Sequence, residues 1–148
     1  MPIWDWALAV YARPGVAPAC LMLQDRHAQN VPLLLWALWA RAGDAALIGR
    51  ATALARSWED GVVAPLRATR RNLKAPAPPV DDIAREALRE AVKAAELQAE
   101  RVLLETLEAL PGDSAASASA LEALRAVSAA WGPPAPDDAM AALARAVS

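Results

Sequence analysis

The chain has 148 residues, 56% hydrophobic and 22% charged, with a formal net charge of −2. That length suits one domain whose core needs no staples. The single cysteine, Cys20, excludes an internal disulfide and fits a reducing cytoplasm. The longest apolar run, 31–40, falls short of the roughly 18 residues a membrane-spanning helix needs, and Met1-Pro2-Ile3-Trp4-Asp5 lacks the basic region of a secretory signal.

A first helix is expected over 3–12, with Trp4, Leu8 and Tyr11 on one face. Arg13-Pro14-Gly15 stops it, and a second helix runs from Ala17-Pro18 to about Ala28. Asn30 caps a third, Val31 to Arg41, with Pro32 in its first turn. Leu33-Leu34-Leu35-Trp36-Ala37-Leu38-Trp39 leaves that helix no polar face, so its neighbours must surround it. Gly43 is expected to end it and Asp44 to cap the next, which places Leu47, Ala51, Leu54 and Trp58 at helical spacing.

Gly61 and Pro65 predict a kink or brief break before the helix resumes through Leu66 to Lys74. The proline-rich stretch 75–80 is a stiff connector and a candidate sub-boundary. Asp81 or Asp82 caps the longest helix, to about Leu110. Its early apolar face (Ile83, Ala87, Leu88, Ala91, Val92, Ala95) and its late one (Leu103, Leu107, Leu110) point in different directions, which predicts an overhang or a bend. Pro111-Gly112-Asp113 ends it, and 114–118 reads as a flexible small-residue loop. Ser119 and Glu122 fit a capping box for a helix with Leu121, Leu124, Val127 and Trp131 inward. After the break at 132–136, Asp137 or Asp138 caps a last helix bearing Met140, Leu143 and Val147. The expected fold is all-α: one domain, 1–148, a bundle of about six or seven helices around the buried helix 31–41.

The N-terminal half resembles an uncharacterised family of short bacterial proteins, a domain of unknown function found mainly in proteobacteria. The likeness rests on Trp4-Asp5-Trp6-Ala7-Leu8, Tyr11, Pro14-Gly15-Val16, Ala19-Cys20-Leu21 and Leu23-Gln24-Asp25. It continues through Leu33-Leu34-Leu35, Leu38-Trp39, Trp58, Val62-Val63, Pro65-Leu66-Arg67, Arg70-Arg71 and Leu73-Lys74. The resemblance implies a family label and no catalytic residues.

Charge is unevenly placed. Residues 1–74 carry nine basic and five acidic side chains, net +4, and residues 75–148 carry six and twelve, net −6. Arg67, Arg70, Arg71 and Lys74 gather at one helix end, where arginine forks suit a small anion or an acidic partner. The competing account pairs these cations with the acidic long helix and with their own helix dipole. Four basic residues on a net-acidic chain argue against nucleic acid.

Trp4, Trp6, Trp36, Trp39 and Trp58 fall in the first 60 residues of a chain without phenylalanine. They either form the core or line an apolar cleft between helices. Cys20, Gln24 and His27 share a helix side, but residues seven apart lie about 10 Å apart along the axis, too far for a thiol–imidazole pair. One cysteine and one histidine cannot build a structural zinc site. Glu86 and Glu90 precede Arg89 and Lys93 by three residues, the usual solvated pattern. No cofactor, metal or catalytic residue is indicated. The expectation is a non-enzymatic cytoplasmic protein that meets a protein partner, or itself, through the basic helix end or the overhanging long helix. The alternative is a small-molecule-binding protein or unrecognised enzyme with a Trp-lined cleft.

Overall fold

The structure, a computed structural model, describes residues 1–112 and 117–148. Eight α-helical segments occur among them: α1 (Ile3–Tyr11), α2 (Val16–His27), α3 (Val31–Ala40), α4 (Ala45–Trp58), α5 (Ala64–Asn72), α6 (Asp82–Glu108), α7 (Ala120–Trp131) and α8 (Asp137–Val147). A π-helical turn, Glu59–Val63, joins α4 to α5 without a loop, so the described residues form seven helical rods. Ala42 and Ser117 form an isolated bridge, and no strand occurs among the described residues.

α3 lies at the centre, as a helix without a polar face requires. Pro32 to Leu38 are all buried, with Trp36 only 2% exposed, and α1, α2, α4, α6 and α7 pack around them. Asn30 caps it through its side-chain oxygen, 2.9 Å from the Leu33 amide. Its end departs from expectation. Arg41, at φ 51°, takes the left-handed position expected of Gly43, and the Ala118 amide bonds to the Arg41 carbonyl. Of the expected loop 114–118, and of the turn before it, residues 113–116 lie outside the described residues.

Packing decides which faces of α1 and α6 turn inward. α1 buries Ile3, Ala7 and Val10, and leaves Leu8 and Tyr11 exposed with Trp4 half-buried. Both stripes have helical spacing; the one with the smaller side chains packs against the core. α6 buries Leu103, Leu104 and Leu107 toward its C-terminal end, but Arg85 and Glu96 before them. The reason is its partner. The connector turns the chain back so that α5 lies against α6, and α5 offers Arg67 and Arg70 as its inner face. Ile83, 83% exposed, and Leu88, 53% exposed, therefore face away.

Gly61 and Pro65 produce no break. The turn widens to π geometry, and Pro65 occupies the first turn of α5, where a missing N–H is tolerated. Asp81 and Ser119 cap α6 and α7 as expected, the latter in a full capping box. α8 does not follow the pattern: Pro136 occupies its N-cap, while Asp137 makes a bidentate pair with Arg125.

A buried polar knot joins the α2–α3 junction to the α7–α8 junction. Ser128 donates to the Gln29 side-chain oxygen (2.8 Å) and accepts from the Ala135 amide (2.9 Å), and Trp131 Nε1 donates to the Ala28 carbonyl (2.8 Å). Each buried polar atom in this knot has a partner, which is the condition for tolerating it in a core.

Candidate functional site

The site grows out of the π turn. Widening the helix at Glu59–Val63 brings Glu59 into register with Arg67 on α5, and Arg67 Nη1 donates to Glu59 Oε1 at 2.9 Å. Across from them α6 presents Glu96, only 8% exposed. Arg70 Nε donates to Glu96 Oε2 at 2.5 Å, and Arg67 Nε stands 3.5 Å from Glu96 Oε1. The hydrogen bond to Glu96 holds the Arg70 guanidinium charged and raises its pKa.

One helical turn beyond Glu96 stands Glu100, which shares this neighbourhood but none of its hydrogen bonds. Among the described residues no donor reaches its carboxylate. Burial first, then the charge of Glu96, pushes its pKa up to about 7; Arg67 and Arg70 oppose the shift and Glu59 adds to it. The cluster thus holds three carboxylates, Glu59, Glu96 and Glu100, against two guanidiniums, Arg67 and Arg70.

Glu100 also forms part of the wall of an apolar cleft of about 270 Å³ between α1, α3 and α6. Trp4, Leu8 and Tyr11 supply one wall, the less buried stripe of α1, of which Trp4 packs against the edge of the core. Val31 and Leu35 supply the floor side from α3, and Leu97 and Leu104 flank Glu100 on α6, with Gln24 reaching in from α2. The Arg101 guanidinium lies 5.3 Å from the Trp4 ring centroid and pairs with Glu105 at 2.8 Å, so it leaves the cleft without a basic side chain in its wall. Burial, then Cys20 and Glu100, hold the Tyr11 phenol above its ordinary pKa. A carboxyl group at the inner side of an apolar hollow can meet a polar head while the hollow takes an apolar body.

The sequence-predicted residues are divided by the fold. Arg67 and Arg70 are half-buried in the ion network, whereas Arg71 and Lys74 are exposed and form no salt bridge among the described residues. The five tryptophans do not converge on one cleft. Trp4 lines the one just described; Trp36 and Trp39 border a second hollow near Arg41 and Glu108; Trp58 bonds to the Ala99 carbonyl; and Trp6 packs half-buried against the core. Cys20 is fully buried, and burial pushes its thiol up to about 12, so it holds no reactive thiolate.

Sequence reasoning missed Glu100, although a signal was present. Its helical neighbours three and four residues away are Glu96, Leu97, Leu103 and Leu104, an acid set inside a leucine stripe with no cation at helical spacing. Among the described residues no group of His, Cys, Asp or Glu is arranged to hold a metal ion, and no single helix is long and apolar enough to cross a membrane.

A family model described as a protein of unknown function (DUF2390) matches residues 2–107. The chain belongs to that family. The DUF2390 match reaches well beyond Lys74 and takes in α1 to α6 almost to its end, so it contains the whole cleft and the whole ion network. α7 and α8 lie outside it. No curated protein and no solved structure matches the chain.

Proposed function

We propose that this protein is a non-enzymatic small-molecule-binding protein whose ligand occupies the cleft between α1, α3 and α6. The observation that carries the reading is Glu100: an acid without a hydrogen-bond partner among the described residues, set in an apolar wall. Small-ligand sites combine that kind of apolar lining with a few fixed polar groups. Trp4, Leu8 and Tyr11 also find a purpose here, since an apolar stripe withheld from the core is otherwise exposed to water. A bacterial cytoplasmic setting belongs to the same proposal, supported by the single unpaired and buried Cys20.

The test is an NMR titration of the ¹⁵N-labelled chain with n-hexanol. Saturable shifts confined to the amides around Trp4, Tyr11, Leu35 and Glu100, weakened by Leu97→Trp at the mouth of the cleft, support the reading. Shifts scattered over the surface, or none, overturn it.

A second reading, protein contact or self-association through the first half of α6, is favoured by the exposure of Ile83 and Leu88 along that helix. The basic end at Arg67–Lys74 supports it less, because two of its four cations already serve Glu59 and Glu96. Sedimentation equilibrium decides this reading: a monomer across the concentration range, together with no partner retained on the immobilised chain, removes it.

A further inference from the structure

We infer that the ligand of the cleft is an organic cation, a compact alkyl- or arylammonium whose charged head meets Glu100 and whose apolar body lies against Trp4, Leu35, Leu97 and Leu104. The inference rests on the cleft reading and names its substrate class.

Charge counting across the helices leads to it. Five ionisable side chains meet where the π turn, α5 and α6 come together: Glu59, Glu96 and Glu100 against Arg67 and Arg70. The hydrogen-bonded donors of both guanidiniums are directed elsewhere, and Arg67 Nε is buried without a hydrogen-bond partner. Arg67 serves Glu59 at 2.9 Å and stands 3.5 Å from Glu96, and Arg70 grips Glu96 through Nε and Nη2. The adjoining gap is lined by Arg67 and Glu59, which pair with each other, and by the neutral Gln24 and Asn30, whose Nδ2 is directed to Glu59 at 3.5 Å. From α1 the group facing Glu100 is the Tyr11 phenol, which burial keeps in its neutral form. Above the Glu100 pKa of about 7 the cluster is therefore one positive charge short, and Glu100 is the carboxylate without a hydrogen-bond partner among the described residues.

The cleft has the shape for that missing cation. Its volume of about 270 Å³ suits a short chain or one ring, no lysine or arginine stands in its wall, and two aromatic rings, Trp4 and Tyr11, line it. Aromatic faces and a carboxylate together are the usual surroundings of a bound ammonium. An anionic head would instead face the Glu100 carboxylate, with no lysine or arginine in the cleft wall to receive it, so fatty acids and phosphates are disfavoured. A neutral alcohol would fill the hollow but leave the charge deficit in place.

Three probes of equal length separate these cases: n-hexylamine, n-hexanol and n-hexanoate, titrated into the full ¹⁵N-labelled chain at pH 8 and pH 5. The alkylammonium stays charged at both values, as lysine does. At pH 8 hexylamine is expected to bind at the cleft at least tenfold tighter than hexanol, with hexanoate weakest. The amine's advantage should fall severalfold at pH 5, where Glu100 is protonated, and in Glu100→Gln at pH 8. That variant removes a poorly solvated charge and is expected to fold. Equal affinity for amine and alcohol, a preference for hexanoate, or an amine preference that survives Glu100→Gln overturns the cation assignment while leaving the cleft as a binding site. No cleft shift with any of the three probes overturns both.

Discussion

The indole Nε1–H of Trp58 donates to the backbone carbonyl of Ala99 at 2.8 Å, fastening the last turn of α4 to α6 one residue before Glu100. The bond lies where the helix widens into its π turn, so it sets the distance between Glu59 and the acids of α6. Trp58→Phe keeps most of the ring and removes the donor. The expected cost is about 1 kcal/mol, the net worth of one ordinary hydrogen bond, read by chemical denaturation. The Glu100 amide and side-chain resonances should shift with it. An unchanged Glu100 environment would mean that Trp58 does not position the site.

Glu100 gives the protein a pH dependence of defined sign. Its folded pKa, about 7, lies above the carboxylate's ordinary 4.5, so the folded chain binds more protons than the unfolded chain between those values, and stability falls as pH rises through that window. Glu100→Gln removes the effect. The variant should be more stable than the native chain by about 2 kcal/mol at pH 8, with the gain disappearing below pH 4.5, where both states of the native residue are protonated. Thermal melts at the two extremes check it. A variant equally destabilised at both would show that the carboxyl has a structural hydrogen bond instead.

Local features of the sequence were legible, and partner-dependent ones were not. Asn30, Asp44, Asp81 and Ser119 were readable as caps because capping joins residues only three apart. The central place of α3 followed from its lack of any polar face. Which stripe of α1 turns inward could not be read, because Ile3-Ala7-Val10 and Trp4-Leu8-Tyr11 have the same period, and only the approach of the neighbouring helices decides between them. The first half of α6 depends on its partner in the same way: its apolar residues face away because α5 brings two arginines against the opposite side. Glu100 owes its isolation to Arg67 and Glu59, more than thirty residues away in the chain, although the leucines around it were a local clue.

Arg70 and Arg71 are adjacent in sequence and opposite in role. Arg70→Ala leaves the Glu96 carboxylate buried without its closest partner and should cost about 2 kcal/mol, below the roughly 3–5 of a fully buried pair because Arg70 keeps some water contact. Arg70→Ala combined with Glu96→Gln should recover most of that loss. Arg71→Ala and Lys74→Ala, on exposed side chains, should stay within about 0.5 kcal/mol of the native chain. Denaturant midpoints for the four variants measure this. Equal costs at Arg70 and Arg71 would contradict the internal pairing and return the basic end to the role of a free contact surface.

The same truncation at two leucines tests the placement of the core. Leu34 on α3 is 1% exposed, and Leu34→Ala opens a cavity at the centre of the bundle that its packed neighbours cannot close, at an expected cost of about 3 kcal/mol. Leu88 on α6 faces away from α5, and Leu88→Ala should cost under about 0.5 kcal/mol in a monomer, the usual range for a surface position. The contrast must be measured at several protein concentrations. If Leu88→Ala becomes costly only as concentration rises, a second copy covers the first half of α6, since burial that depends on mass action belongs to an interface. If it is costly at every concentration, the first half of α6 packs inward along Ile83 and Leu88, and the inward orientation of Arg85 and Glu96 is overturned along with it.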